Sequence, residues 1–171
     1  SAFTSHYIPI GDVFDIDYVA HEIGHQVGAN HTHTYGSNEG YGVQVEPGSG
    51  NTIMGYTGIT RNYDTQFNSN DFFTYRNILQ IQTNLANKAC AVNTPISNTP
   101  PVVNAGVDVT IPISTPFVLK GEVTDAENDA MTYVWEQNKP ATSSSGFGAN
   151  SVASPTKTNG PNFKMYPPTS E

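Results

Sequence analysis

Residues 21–31 read His21-Glu22-Ile23-Gly24-His25-Gln26-Val27-Gly28-Ala29-Asn30-His31. On a helix, His21 and His25 stand about 40° apart around the axis and about 6 Å along it, so both imidazoles leave one face toward a single ion. Glu22 falls on the adjoining flank, close enough to meet a water on that ion without ligating the ion itself, which makes it the candidate general base. Gly28 can take the left-handed conformation that ends a helix and turns the chain. That turn returns His31 to the same ion as a third ligand and leaves a fourth position open for water, as catalytic zinc requires. Zn2+ is the expected cofactor. Four of the five histidines fall between positions 21 and 33, and this pattern fixes five identities in eleven residues, about a one-in-ten-thousand accident at average composition.

The flanking periodicity extends this helix. Phe14, Tyr18, Val19, Ile23 and Val27 recur at spacings of three and four, which predicts a helix from Gly11 to about Ala29, with Asp12, Asp15 and Asp17 near its N-terminus. Residues 30–69 are dense in Gly, Asn, Ser, Thr and Tyr and read as irregular chain shaped by turns. Within them, Asn62 to Asp71 offers several hard oxygen ligands and is a candidate Ca2+ loop, although it lacks EF-hand spacing. A second helix is predicted over Asp71–Asn87 from Phe72, Phe73, Tyr75, Ile78, Leu79, Gln82 and Leu85, capped by Ser69 or Asn70. His33, two residues past His31, could reach the metal, a residue supporting it, or solvent. His6 has no partner in sequence.

Residues 93–101, Asn-Thr-Pro-Ile-Ser-Asn-Thr-Pro-Pro, suit neither helix nor central strand and read as a linker. The expected organisation is therefore a first domain at 1–92, the linker, and a second domain at 102–171. In the latter, Val107–Ile113, Pro116–Val123 and Met131–Gln137 read as short strands of a β-sandwich. Asp125, Asn128 and Asp129 read as turn-formers ahead of the last of these, with calcium binding the lesser alternative.

The stretch His21 to His31 resembles the extended zinc signature of metzincin metallopeptidases. Its Gly28-Ala29-Asn30-His31 ending is most similar to the adamalysin or reprolysin branch, although Thr32 and His33 stand where that branch usually has Asp. Gly11 to Glu22 resembles secreted bacterial members of that branch. The resemblance implies a tight turn with a methionine beneath the zinc, which Thr52-Ile53-Met54-Gly55-Tyr56 matches through Met54. It also places Tyr56 where related metzincins carry a zinc-proximal tyrosine able to hydrogen-bond the oxyanion. In the second domain, Asn104-Ala105-Gly106 and the run Thr124 to Trp135 resemble the polycystic-kidney-disease-type immunoglobulin-like fold, in which the tryptophan is a core residue.

Together these imply an α+β chain: the C-terminal half of a metzincin-like catalytic domain followed by an incomplete immunoglobulin-like β-sandwich. Only 20 residues precede His21, so the upper sheet is expected in an N-terminal segment that acts as a partner. Beyond Pro100 there are 71 residues, against about 100 in a typical sandwich.

Composition limits the partners. Fifteen acidic against seven basic residues give a net charge of -8, and the bases are scattered from Arg61 to Lys164, so nucleic acid and anionic membranes are poor partners and none is expected. No apolar run approaches the roughly 18 residues of a membrane span. Asn, Thr and Ser fill 49 positions, and with few lysines this favours export; the resemblance implies a bacterial protein, secreted or at the cell surface. The single Cys90 cannot form an internal disulfide; its natural partner is expected upstream of Ser1. The expected activity is a secreted zinc endopeptidase acting on protein or peptide substrates, with Glu22 as base and Tyr56 sharing the oxyanion charge with zinc, and with feeble or no activity expected of this chain by itself. The rival reading is a surface adhesin or binding module with a relic metal site, against which the retained Glu22 argues. A zinc hydrolase of non-peptide bonds is a third.

Overall fold

The computed structural model describes residues 3–90, 92, 94–142 and 146–170. The chain forms two compact units, one of Ser1–Ala91 with Val134–Thr169 and the other of Val92–Tyr133 with Ser170–Glu171. The break at Ala91/Val92 falls beside the expected boundary at 92/93, whereas Val134–Thr169, expected in the second domain, group with the first unit. Residues beyond 134 return to the first unit because their main chain completes its loops: Ala141 N–H donates to Gln44 O (3.0 Å), Gly148 N–H to Thr34 O (3.0 Å), and Ser151 O accepts from Gly48 N–H (3.1 Å). The Asn51 side-chain amide adds a bond to Met165 O (2.7 Å).

The predicted first helix is one continuous helical run in three parts: α1 (Asp12–Phe14), a π-helical stretch (Asp15–Ala20) and α2 (His21–Val27). In the widened π turn, Asp17 accepts from Ser69 N–H (2.7 Å) and from the Asn68 amide (3.0 Å). Gly28 ends α2 at φ 108°. Its N–H donates to His25 O and that of Ala29 to Gly24 O, the paired bonds of a Schellman motif.

The second helix, α3, spans Tyr75–Ala86 and begins four residues later than predicted. Thr74 is the N-cap, its hydroxyl oxygen accepting from Asn77 N–H. Asn70 and Phe72 cannot join the helix because their backbones brace the loop below the zinc-type helix, through Asn70 N–H to Asn51 O and Ile53 N–H to Phe72 O. The Glu136 carboxylate accepts from Tyr75 N–H at 2.9 Å, where the helix dipole favours an anion.

The apolar core is small. Ala29, Ile53 and Met54 are buried, with Ile16, Ala20, Phe73 and Ile81 packed against them. Around it lies a polar interior: Thr32, Thr34, Gln44, Glu46, Asn51, Thr52, Thr74 and Asn77 are all buried. A loop-rich chain can bury such groups only by pairing them, since an unpaired buried polar group costs about 1–3 kcal/mol. Gln44, for example, donates to His33 O and Ser37 O and accepts from Glu39 N–H.

Gly24 lets Met54 reach its place. A Cβ at residue 24 would lie 2.5 Å from Met54 Sδ and 3.0 Å from Phe73 Cε1. Gly24→Ala gains about 1 kcal/mol of helix propensity but overpacks the junction at a cost of about 1–3 kcal/mol. The expected result is a lower melting temperature; a higher one would show that Met54 has room to move.

In the second unit, β1 (Val102–Asn104) pairs antiparallel with β2 (Glu122–Thr124), Val103 opposite Val123. Of the predicted strands, Glu122 and Val123 lie in a ladder and Tyr133 makes a single bridge, while residues 107–113 form no strand. Val107 is 87% and Ile113 90% exposed; a strand without a second layer to cover its apolar face gains little from pairing. Trp135 departs from its expected core position and is 47% exposed. The turn expectation is met: Asp125 accepts from the N–H groups of Glu127 and Asp129. Among the described residues, no helix is long and apolar enough to cross a membrane.

Candidate metal centre

α2 presents His21 and His25, and the turn at Gly28 brings His31 back beside them. The ring centroids of His21 and His25 are 4.8 Å apart, those of His25 and His31 4.6 Å, and those of His21 and His31 5.3 Å. One ligand atom of each lies within 4.8 Å of the other two. The returning turn is held by α3, whose polar residues 77, 80 and 84 face it. Asn77 donates to Asn30 O (2.9 Å), Gln80 accepts from Asn30 N–H (3.1 Å), and Asn84 donates to Val27 O (2.7 Å).

The hydrogen bonds of the three rings fix their tautomers. Nδ1–H of His21 donates to Ile53 O (2.7 Å), that of His25 to Ala29 O (2.9 Å), and that of His31 to Glu39 Oε1 (3.0 Å). With the proton on Nδ1, each Nε2 carries a bare lone pair. The Nε2 atoms of His25 and His31 stand only 3.0 Å apart. Two lone pairs at that distance repel each other unless a cation lies between them, and neutral imidazoles anchored through Nδ1 are the ordinary donor set for zinc. The residues present therefore fit the metal. Burial, together with the neighbouring His25 and His31, pushes the His21 pKa down to about 4, so this ring is neutral at pH 7 and free to donate its lone pair.

Met54 is fully buried in the tight turn closed by Gly55 N–H to Thr52 O (2.8 Å). This turn is tied to the metal-site loop by Thr32 N–H to Met54 O and by the His21 bond to Ile53 O. Tyr56 lies over the histidines, its ring 4.5 Å from that of His31 and 5.5 Å from that of His21. Burial, then the nearby Tyr35, Glu39 and Glu22, push its phenol up, so it remains a hydrogen-bond donor through neutral pH. Glu22, His21 and Tyr56 line one cleft of about 320 Å³, with Asp17, Tyr18 and Gly58 among its other walls.

Other expected positions fall elsewhere. His6 packs against Tyr18, 4.9 Å between centroids. The calcium expectation for 62–71 has no support: Asp64 is engaged by Thr60 N–H and Thr60 Oγ1, and among the described residues that stretch contributes to no metal-type cluster. Cys90 is free and exposed.

Glu39 and Glu46 are not read from the sequence, which leaves the place of His33 open. Glu39 orients His31. Glu46, fully buried, accepts from Asn51 N–H (2.8 Å), Thr52 N–H (3.1 Å), Thr52 Oγ1 (2.7 Å) and Thr32 Oγ1 (2.5 Å), and burial pushes its carboxyl up. His33 is buried, and burial followed by the adjacent His31 and His21 pushes its pKa down to about 3. The available signal was that Glu39 and Glu46 are the only acids between His31 and Asp64.

Three convergent imidazoles, oriented through their second nitrogens, form a cluster that could hold a metal ion, and His21 among them lines the cleft that also holds Glu22. Residues 1–85 match the family model described as Metallo-peptidase family M12B Reprolysin-like. The match supports a reprolysin-like metallopeptidase, a zinc-dependent class whose substrates are proteins or peptides. Searches of curated proteins and of solved structures return no significant match.

Proposed function

We propose that the chain is an exported bacterial zinc endopeptidase in which Glu22 is the general base and Tyr56 an oxyanion donor. The observation that carries this reading is the convergence of three Nδ1-anchored histidines beside a cleft shared by Glu22 and Tyr56. His21, His25 and His31 hold the metal. When bound, zinc supplies Lewis acidity that brings a water's pKa down toward about 7 and polarises a carbonyl. Glu22 takes the proton of the water attacking the scissile carbonyl and delivers it to the departing amine. The Tyr56 phenol, protonated at neutral pH, donates to the oxygen on which negative charge develops.

Metal analysis of protein purified without a His-tag should find about one tightly held zinc per chain. Casein digestion should be abolished by a chelator and restored by added zinc. A full-length protein, fully loaded with zinc, that digests neither casein nor collagen would return the molecule to the binding-module reading. Tyr56→Phe should lower kcat by about a hundredfold or more while KM changes little, because the phenol acts on the transition state. An unchanged kcat would leave Tyr56 a packing residue.

A further inference from the structure

His33 is 4% exposed, and neither of its ring nitrogens has a hydrogen-bond partner. A buried imidazole with both nitrogens unsatisfied is costly. Its ring stacks at 5.0 Å on that of His31. Glu39 completes a second group: one ligand atom each of His31, His33 and Glu39 lies within 4.8 Å of the other two.

His31 is the shared element. Its Nε2 stands 3.0 Å from His25 Nε2, and its Nδ1 stands 3.0 Å from Glu39 Oε1. Two donors on one tetrahedral zinc lie about 3.3 Å apart, so both nitrogens of this ring already have a partner near ligand spacing. We propose that His33, Glu39 and Nδ1 of His31 form a second site for a divalent transition ion, adjacent to the tris-histidine site, with the His31 ring bridging the two. The mixed imidazole and carboxylate donors suit zinc, cobalt or copper better than calcium or magnesium. Binding of the second ion displaces the Nδ1 proton of His31 to solvent and breaks its hydrogen bond to Glu39, whose carboxylate becomes a ligand. This requirement makes the second ion the weaker of the two.

The inference shares His31 with the zinc site proposed above, and the experiment separates them. Equilibrium dialysis of the 171-residue chain against zinc chloride should give two ions per chain, one tight and one weak. His33→Ala and Glu39→Gln should each saturate at one tight ion, and His25→Ala should lose the tight one. Glu39 is 28% exposed in its side chain, so its variant keeps the test valid where the buried His33 substitution fails to fold. A chain loaded with one equivalent of cobalt should shift its visible absorption when zinc is added, because the second ion alters a shared ligand; Glu39→Gln should show no shift. Wild-type saturation at one tight ion, two ions retained by both variants, or an unmoved cobalt band would each overturn the second site while leaving the first intact. Absence of any tight ion would overturn both.

Discussion

Glu22→Gln is expected to keep zinc and lose hydrolysis, with kcat falling about a hundredfold to ten-thousandfold. The amide preserves size and hydrogen bonding but cannot accept the proton of the attacking water. Glu22 lines the cleft with His21 and Tyr56 and belongs to neither metal-type cluster, so its loss leaves the histidine donors in place. The measurement pairs metal content with kcat on a fluorogenic peptide. Equal zinc with a lower kcat fits the proposal; equal zinc with an unchanged kcat would remove Glu22 from the role of base.

Glu46→Ala is the substitution expected to cost most stability. Its carboxylate gathers two main-chain N–H groups and one hydroxyl from Asn51 and Thr52, which lead into the methionine turn, and a second hydroxyl from Thr32 in the loop after His31. All of these groups belong to buried residues, and alanine would leave at least the two N–H groups unsatisfied. At about 1–3 kcal/mol for each orphaned group the loss is roughly 3 kcal/mol or more, or a fall in Tm of about 6–12 °C for a chain of this size. Glu46→Gln should cost much less, since its oxygen still accepts from Asn51 and Thr52 and its amide can donate to the hydroxyls. Thermal melts of both variants decide the matter. A Tm for Glu46→Ala within a degree of the parent would mean that water or a rearranged loop replaces the carboxylate. Because Thr32 follows His31 and Thr52 precedes Ile53, whose carbonyl orients His21, Glu46→Ala should also weaken zinc retention.

The metal site was legible in the sequence where it depends on local geometry. Helical spacing puts His21 and His25 on one face of any helix they share, and Gly28 is the residue type that closes such a helix with positive φ, as it does at 108°. The place of Met54 was legible only through the resemblance. What surrounds the site was not legible, because hydrogen bonds between loop positions, and between loop and helix, spanning 5 to 57 residues leave no periodic trace. Asn77, Gln80 and Asn84 look like the ordinary polar side of an amphipathic helix, yet they hold the turn that returns His31. The start of α3 depended on a competition between helix and loop for the backbone of residues 70–72, which the loop won by pairing with Asn51 and Ile53. Alternating apolar residues suggested strands at 107–113, but such a pattern yields a strand only when another layer covers it, and Val107 and Ile113 are left in solvent. The sequence by itself therefore determined the histidine-bearing helix, its glycine stop and which three histidines converge, since these follow from residue type and short-range spacing. Tertiary structure alone decided the Glu46 hub, the contact of Glu39 with His31, and the return of residues 134–169 to the first unit, because each depends on which polar groups outside regular structure come together and must satisfy one another.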